Sequence, residues 1–241
     1  MKKIFIILFI LLILCSCANK KEVQDNIKDN KENNIVLGSW NLNDNFNDLI
    51  IDKEELISFI TSSDLNGYDD YKPVALLATQ VVAGINYMFL VKNAYDYEIL
   101  IIYADLDDNL SITKIMPFNL EKYLVNNEPS NSEQLMGGWY AYFNDENVLK
   151  VDDIDIFNPK VVEDNFDVYY KPIALLASQM VSGTNYCYLA YEGNVLTNAN
   201  EQMVIISIYK DLNDNYSINT INYLDFKEIA NIADPIPVTC N

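Results

Sequence analysis

The chain has 241 residues, half of them apolar, a formal net charge of −19 and no histidine. So acidic a surface repels phosphate backbones and excludes nucleic acid as a partner class. The missing imidazole excludes Ser-His-Asp and Cys-His catalysis and every histidine metal site, so no metal, no cofactor and no enzymatic activity is expected.

Residues 1–16 read as an export signal. Lys2 and Lys3 precede an unbroken apolar run, Ile4 to Leu14, whose eleven residues fall short of the roughly 20 that a membrane-crossing helix needs. The run ends in Leu14-Cys15-Ser16-Cys17, which resembles a lipobox, so Cys17 is the expected lipidation site and the membrane a partner through its anchor. Ala18 in the next position, rather than Asp, leans towards the outer membrane or outer surface of a bacterial envelope. Residues 17–34 are rich in Asn, Lys, Asp and Glu, have little to bury, and read as a lipidated disordered tether.

The rest of the chain is a tandem duplication. Tyr71 to Tyr87 matches Tyr170 to Tyr186 at an offset of 99, and Gly38-Ser39-Trp40 matches Gly137-Gly138-Trp139 at the same offset. Tyr103 to Asn109 matches Tyr209 to Asn215 at an offset of 106, which puts a seven-residue insertion in a hairpin around Gly193 to Glu201. Repeat 1 spans 35–125 and repeat 2 spans 137–241, with a linker at 126–136 whose Asn-Asn-Glu-Pro-Ser composition marks the seam.

Each repeat opens on a Trp expected to anchor a core. In repeat 1, Asp52-Lys53-Glu54-Glu55 resembles a capping box, and Leu56, Phe59 and Ile60 recur on one helical face. The matching helix of repeat 2 is expected to start at Asn158-Pro159. Four strand-like runs follow in repeat 1, at Val74 to Ala83, Tyr87 to Lys92, Glu98 to Ala104 and Leu110 to Ile115. Their counterparts are Ile173 to Ser182, Tyr186 to Tyr191, Met203 to Lys210 and Ser217 to Tyr223. The expected fold class is α+β: two tandem domains, each one helix packed on an antiparallel β-meander. Val74-Ala75-Leu76-Leu77-Ala78 is apolar at successive positions, so both faces of that strand need cover, the second from the other repeat.

The loop between the first two long strands carries a motif. Gln80-Val81-Val82-Ala83-Gly84, followed by Asn86-Tyr87, resembles the first hairpin loop of the cystatins, inhibitors of papain-like cysteine proteases. The resemblance covers most of each repeat in the order of elements, and residue by residue only Pro73 to Tyr87. It implies a wedge, built from a glycine-bearing amino-terminal segment and two hairpins, that fills a papain-like protease cleft. The residues it assigns to protease binding are Gly38, Gln80, Val81, Val82, Ala83 and Gly84 in repeat 1. In repeat 2 they are Gly137 or Gly138, with Gln179, Met180, Val181, Ser182 and Gly183. Small apolar tip residues can enter a narrow cleft without burying charge, and both loop glycines are expected at solvent-exposed turns. The second-hairpin tips, Asp105 to Asn109 and Asp211 to Asn215, depart from the family by reading as acidic. Repeat 1 is the more faithful copy.

The implied function is a surface-tethered, cystatin-like binder and inhibitor of papain-like cysteine proteases. The alternative is a non-inhibitory envelope lipoprotein whose paired domains serve as a structural or protein-interaction module. The Asp-rich turns lack the central Gly and the twelfth-position Glu of a calcium loop, where Met116 and Asn222 stand, and read as plain turns. Cys187 and Cys240 are the candidate disulfide of an exported protein, their pairing left open by sequence.

Overall fold

The computed structural model describes residues 37–43, 54–62, 71–124, 129–130, 137–143, 157, 168–194 and 201–231. Repeat 1 contributes β1 (Trp40–Leu42), α1 (Glu54–Ser62), β2 (Lys72–Val82), β3 (Gly84–Lys92), β4 (Tyr97–Ala104), β5 (Leu110–Pro117) and a 3₁₀ turn at Leu120–Tyr123. Repeat 2 contributes β7 (Trp139–Ala141), β8 (Val168–Val181), β9 (Gly183–Asn194), β10 (Gln202–Lys210), β11 (Tyr216–Tyr223) and α2 (Phe226–Asn231). Between them lies β6, Pro129–Ser130, at the expected linker.

Each repeat makes one sheet by nearest-neighbour hairpins: β1-β2-β3-β4-β5 in the first and β11-β10-β9-β8-β7-β6 in the second. Every pairing is antiparallel except β6 on β7. The eight expected strands are all present, and the two tryptophan segments add short strands that the alternation pattern did not announce. Trp40 pairs with Gln80 and Trp139 with Gln179. Pro129, with no N–H to offer a ladder, sits on the outermost strand, where none is needed.

Among the described residues the architecture is β-rich with few helices, more so than the expected α+β layering. Helix α1 does bury Leu56 and Ile60 against Leu76, Phe89, Val91, Leu100 and Ile102, with Phe59 alongside. The segment around Asn158-Pro159, where the second helix is expected, lies outside the described residues, as do the stretches read as export signal and tether, and Cys240.

Two β-bulges explain the continuous apolar run. The β2–β3 register slips between Pro73 and Ala75 and again between Leu76 and Ala78, leaving Val74 and Leu77 as extra residues. A bulge places two neighbouring residues where an unbroken ladder has one, which breaks strict alternation. Accordingly Val74, Ala75, Leu77 and Ala78 join one core while Leu76 joins the other, beneath α1. Repeat 2 has the same slips, between Pro172 and Ala174 and between Leu175 and Ala177.

The core reached by Val74, Ala75, Leu77 and Ala78 is shared between the repeats. It unites Met88, Leu90, Ile99, Ile101 and Met116 of the first sheet with Leu176, Ala177, Cys187, Leu189, Met203 and Ile205 of the second. The second face of the β2 run is therefore covered by the other repeat, as its apolar pattern requires. Trp139 is fully buried in this core and Trp40 packs against its margin. Polar contacts cross the same interface: the Tyr97 hydroxyl donates to the Leu176 carbonyl at 3.1 Å, and Lys92 Nζ donates to the Tyr142 carbonyl at 3.0 Å. The described residues of both repeats belong to one compact unit.

Candidate functional site

Three segments of repeat 1 meet at one end of its sheet. The β2–β3 hairpin turns there with the Val82–Gly84 pair closing around Ala83, and the β4–β5 hairpin turns at the same end because β3 runs antiparallel to β4, with Ile85 opposite Ala104. The segment entering β1 joins them when the Gly38 amide donates to the Val81 carbonyl at 2.9 Å. Residues far apart in sequence are thereby aligned across a sheet edge.

Side chains of the motif lock this alignment. Gln80 Nε2 donates to the Gly38 carbonyl at 3.0 Å, and Gln80 Oε1 accepts from Asn86 Nδ2 at 2.7 Å. The Tyr103 hydroxyl donates to the Ala83 carbonyl and so ties the second hairpin to the first. Repeat 2 repeats every bond. Gln179 donates to the Gly137 carbonyl at 3.0 Å, Asn185 donates to Gln179 at 2.7 Å, and Tyr209 donates to the Ser182 carbonyl. Gly137, not Gly138, is the counterpart of Gly38, since it donates to the Met180 carbonyl at 2.9 Å and shares its positive φ, 87° against 78°.

The expectation of solvent-exposed loop glycines is corrected here. Gly84 is buried at φ 128°, and a Cβ on it would stand 2.4 Å from the Ala104 carbonyl oxygen and 2.7 Å from the Tyr103 ring. Gly183 at φ 131° is partly covered and would meet the Lys210 carbonyl oxygen at 2.3 Å. Both glycines exist to let the second hairpin pack against the first. The tips proper are Val82 and Ala83, with Met180, Val181 and Ser182 in repeat 2, all exposed. Gln80 and Val81 lie just behind, half-buried, while Gln179 is buried.

The second hairpin is acidic as its sequence reads, with Asp107 and Asp108 exposed, and the structure adds a use for Asp105. The Asp105 carboxylate faces its own loop: Oδ1 accepts from the Asp107 and Asn109 amides, both at 2.9 Å, and Oδ2 accepts from Asn109 Nδ2 at 2.9 Å. Those bonds from Asn109 and from the backbone lower its pKa. With the chain pinned so, and Asp108 at a left-handed φ of 61°, Leu106 is turned outward and is 82% exposed. Asp211 clips the second copy identically, with Asp214 also at φ 61°, and Leu212 is 80% exposed. Leu37, beside Gly38, is 77% exposed; its counterpart Met136 lies outside the described residues.

Each end thus carries apolar side chains on adjacent protrusions: Leu37, Val82 and Leu106 in repeat 1, and Met180, Val181 and Leu212 in repeat 2. Sequence reasoning named the first hairpin and missed Leu37, Leu106 and Leu212. A signal for the last two existed: Asp-Leu-Asx-Asp-Asn recurs in both copies, with leucine the only apolar residue of a polar turn.

Cys187 lies at the other extreme, wholly buried between the sheets with burial raising its thiol pKa to about 12. A thiol held protonated in this way is inert. No protein-family model and no characterised protein sequence matches the chain.

Proposed function

We propose that this protein is a lipid-anchored, cystatin-like binder and inhibitor of papain-like cysteine proteases, displayed on a bacterial cell envelope and not itself an enzyme. The observation that carries the reading is the line of exposed apolar tips, Leu37, Val82 and Leu106, across three adjacent segments of one sheet end. Such an end is hydrogen-bonded from behind, so its tips can enter a cleft with little loss of conformational entropy, and Leu37 and Val82 bring no charge of their own to desolvate. The duplicated order of sheet elements, with α1 on one face of repeat 1, agrees with two cystatin-like domains. Cys17, at the end of the lipobox-like stretch, would tether the unit to the membrane through the polar segment that follows.

One observation favours the non-inhibitory alternative. Gln80, Gly84 and Asn86, the residues that make the motif recognisable, are all engaged in holding the sheet end together. A motif with that internal role would persist in a structural or protein-interaction module that never meets a protease. The deciding experiment is titration of papain with the chain from residue 17 onward carrying Cys17→Ser, so that no lipid is attached. Inhibition at micromolar concentration that is lost in Val82→Asp supports the inhibitor. Absence of inhibition by the unsubstituted tip leaves the interaction module in its place.

A further inference from the structure

We infer that the outer edge of β1 is a docking site for an extended, proline-containing peptide of another protein, seated there as β6 is seated on β7. The inference uses none of the exposed tips and is independent of the protease reading. It comes from a place where the two repeats differ. In repeat 2 the edge of β7 carries β6, paired in parallel, with Pro129 opposite Trp139 and Ser130 opposite Tyr140. In repeat 1 the equivalent strand, β1, ends its sheet, and among the described residues no further strand pairs with it. The backbone of β1 is nonetheless set to accept one. The Asn43 amide donates to the Leu77 carbonyl at 3.1 Å, and the Tyr142 amide to the Leu176 carbonyl at 3.0 Å. Residues alternate along an antiparallel pair, so Trp40 and Leu42 in β1, like Trp139 in β7, turn N–H and C=O away from the neighbouring long strand. Trp139 meets β6 on that side, and Trp40 meets no strand among the described residues.

Exposure follows the pairing. Trp139 and Ala141 are 1% and 3% exposed, whereas their counterparts Trp40 and Leu42 are only half-buried. An open groove of about 690 Å³ adjoins β1, lined by Trp40 from repeat 1 and by Gln202, Tyr223, Phe226, Lys227 and Asn231 from repeat 2. Tyr223 is exposed and Phe226 half-buried, so both offer apolar surface to an incoming side chain. A sheet edge beside such a groove has what strand addition needs, main-chain groups for affinity and side chains for specificity. The occupant is argued from β6. Proline has no N–H, so it can stand opposite an outward-facing tryptophan without leaving a donor unpaired. Its fixed φ also lowers the entropy lost when the peptide is ordered on the edge.

The test is amide hydrogen exchange, read by NMR, on the lipid-free chain from residue 17 that carries Cys17→Ser. The probe is a synthetic peptide with the sequence of residues 126–134, Asn-Asn-Glu-Pro-Ser-Asn-Ser-Glu-Gln. Before peptide is added, the Trp139 amide should exchange slowly and the Trp40 amide fast. Saturating peptide should slow exchange at Trp40 at least about tenfold and leave Trp139 unchanged. The same peptide N-methylated at the serine after proline lacks the donor that this parallel pairing requires, and should give no protection. A Trp40 amide already as slow as that of Trp139 without peptide would show the edge filled by the chain itself and overturn the inference. So would an unchanged Trp40 amide at millimolar peptide, or equal protection by the N-methylated form.

Discussion

Gln80 donates its side-chain amide to the carbonyl of Gly38 across 42 positions of sequence, and that bond joins the one from the Gly38 amide to the Val81 carbonyl in holding the segment entering β1 against the first hairpin. Gln80→Leu keeps the side-chain volume and removes both the bond to Gly38 and the acceptor for Asn86. The site is partly exposed, so water replaces the lost partners and the stability cost should be about 1 kcal/mol. If protease binding depends on alignment of Leu37 with Val82, affinity should fall by more than stability does. Thermal melting set beside papain titration measures both, and equal small losses would count against the alignment.

Gly84→Ala is expected to be a folding defect rather than a binding defect. The added Cβ meets backbone at 2.4 Å, and φ of 128° is unsuited to any side chain, so a loss of at least about 2 kcal/mol is anticipated, and a similar loss for Gly183→Ala. Gly38→Ala also falls at positive φ but meets nothing within 4 Å, so only the backbone term of about 1 kcal/mol remains. Chemical denaturation of the three variants should rank Gly38→Ala mildest. A neutral Gly84→Ala would show that the hairpins do not pack as described.

Leu77→Ala and Leu176→Ala each empty a wholly buried site in the core between the sheets and should cost about 2–5 kcal/mol. Because that core draws on both repeats, unfolding should be one cooperative transition, and either variant should shift all of it. Repeat 1 expressed alone would expose Leu77, Met88 and Leu90 and should be markedly less stable than the tandem. Two separable transitions in the intact chain, only one moved by Leu77→Ala, would contradict a common core.

Glu98 gives the stability a pH dependence. Burial raises its pKa above the usual 4.5, outweighing the 2.6 Å hydrogen bond from the Tyr71 hydroxyl, which lowers it. A carboxyl whose folded pKa is raised contributes stability that is fully present below the unfolded value and lost as pH rises through the folded one. Glu98→Gln should therefore raise the melting temperature at neutral pH, since the amide oxygen can still accept from Tyr71 without a buried charge. The advantage should shrink as pH falls towards 4.5 and below. A variant no more stable than the parent at neutral pH would sink the argument.

The proposed lipid anchor places the acyl chains on Cys17, at the lipobox-like position. Cys17→Ser should abolish incorporation of labelled fatty acid and move the protein from the membrane fraction to the soluble one, because a diacylglyceryl group supplies the two chains that stable attachment needs. Fatty-acid label retained by the variant would place the lipid elsewhere.

The local signals in the sequence determined a good deal of this protein. The offset of 99 announced two copies, alternation and β-branched content marked eight strands, and Leu56, Phe59 and Ile60 marked the face of α1. Even the sharing of a core was legible, because the apolar run Val74 to Ala78 has too much to bury for one face. These features are periodic, and period is set by backbone geometry over a few residues. What only the tertiary structure decided are matters of approach between distant segments. Whether Gly84 is a tip or a packing site depends on where Ala104 and Tyr103 come to lie. Whether Asp105 aims its charge at solvent or clips its own loop with it depends on which way its carboxylate turns, and with that the outward placement of Leu106. The bulges that divide Val74 to Ala78 between two cores belong to the same group, since register is a property of the strand pair and of the sheets it must satisfy on both faces.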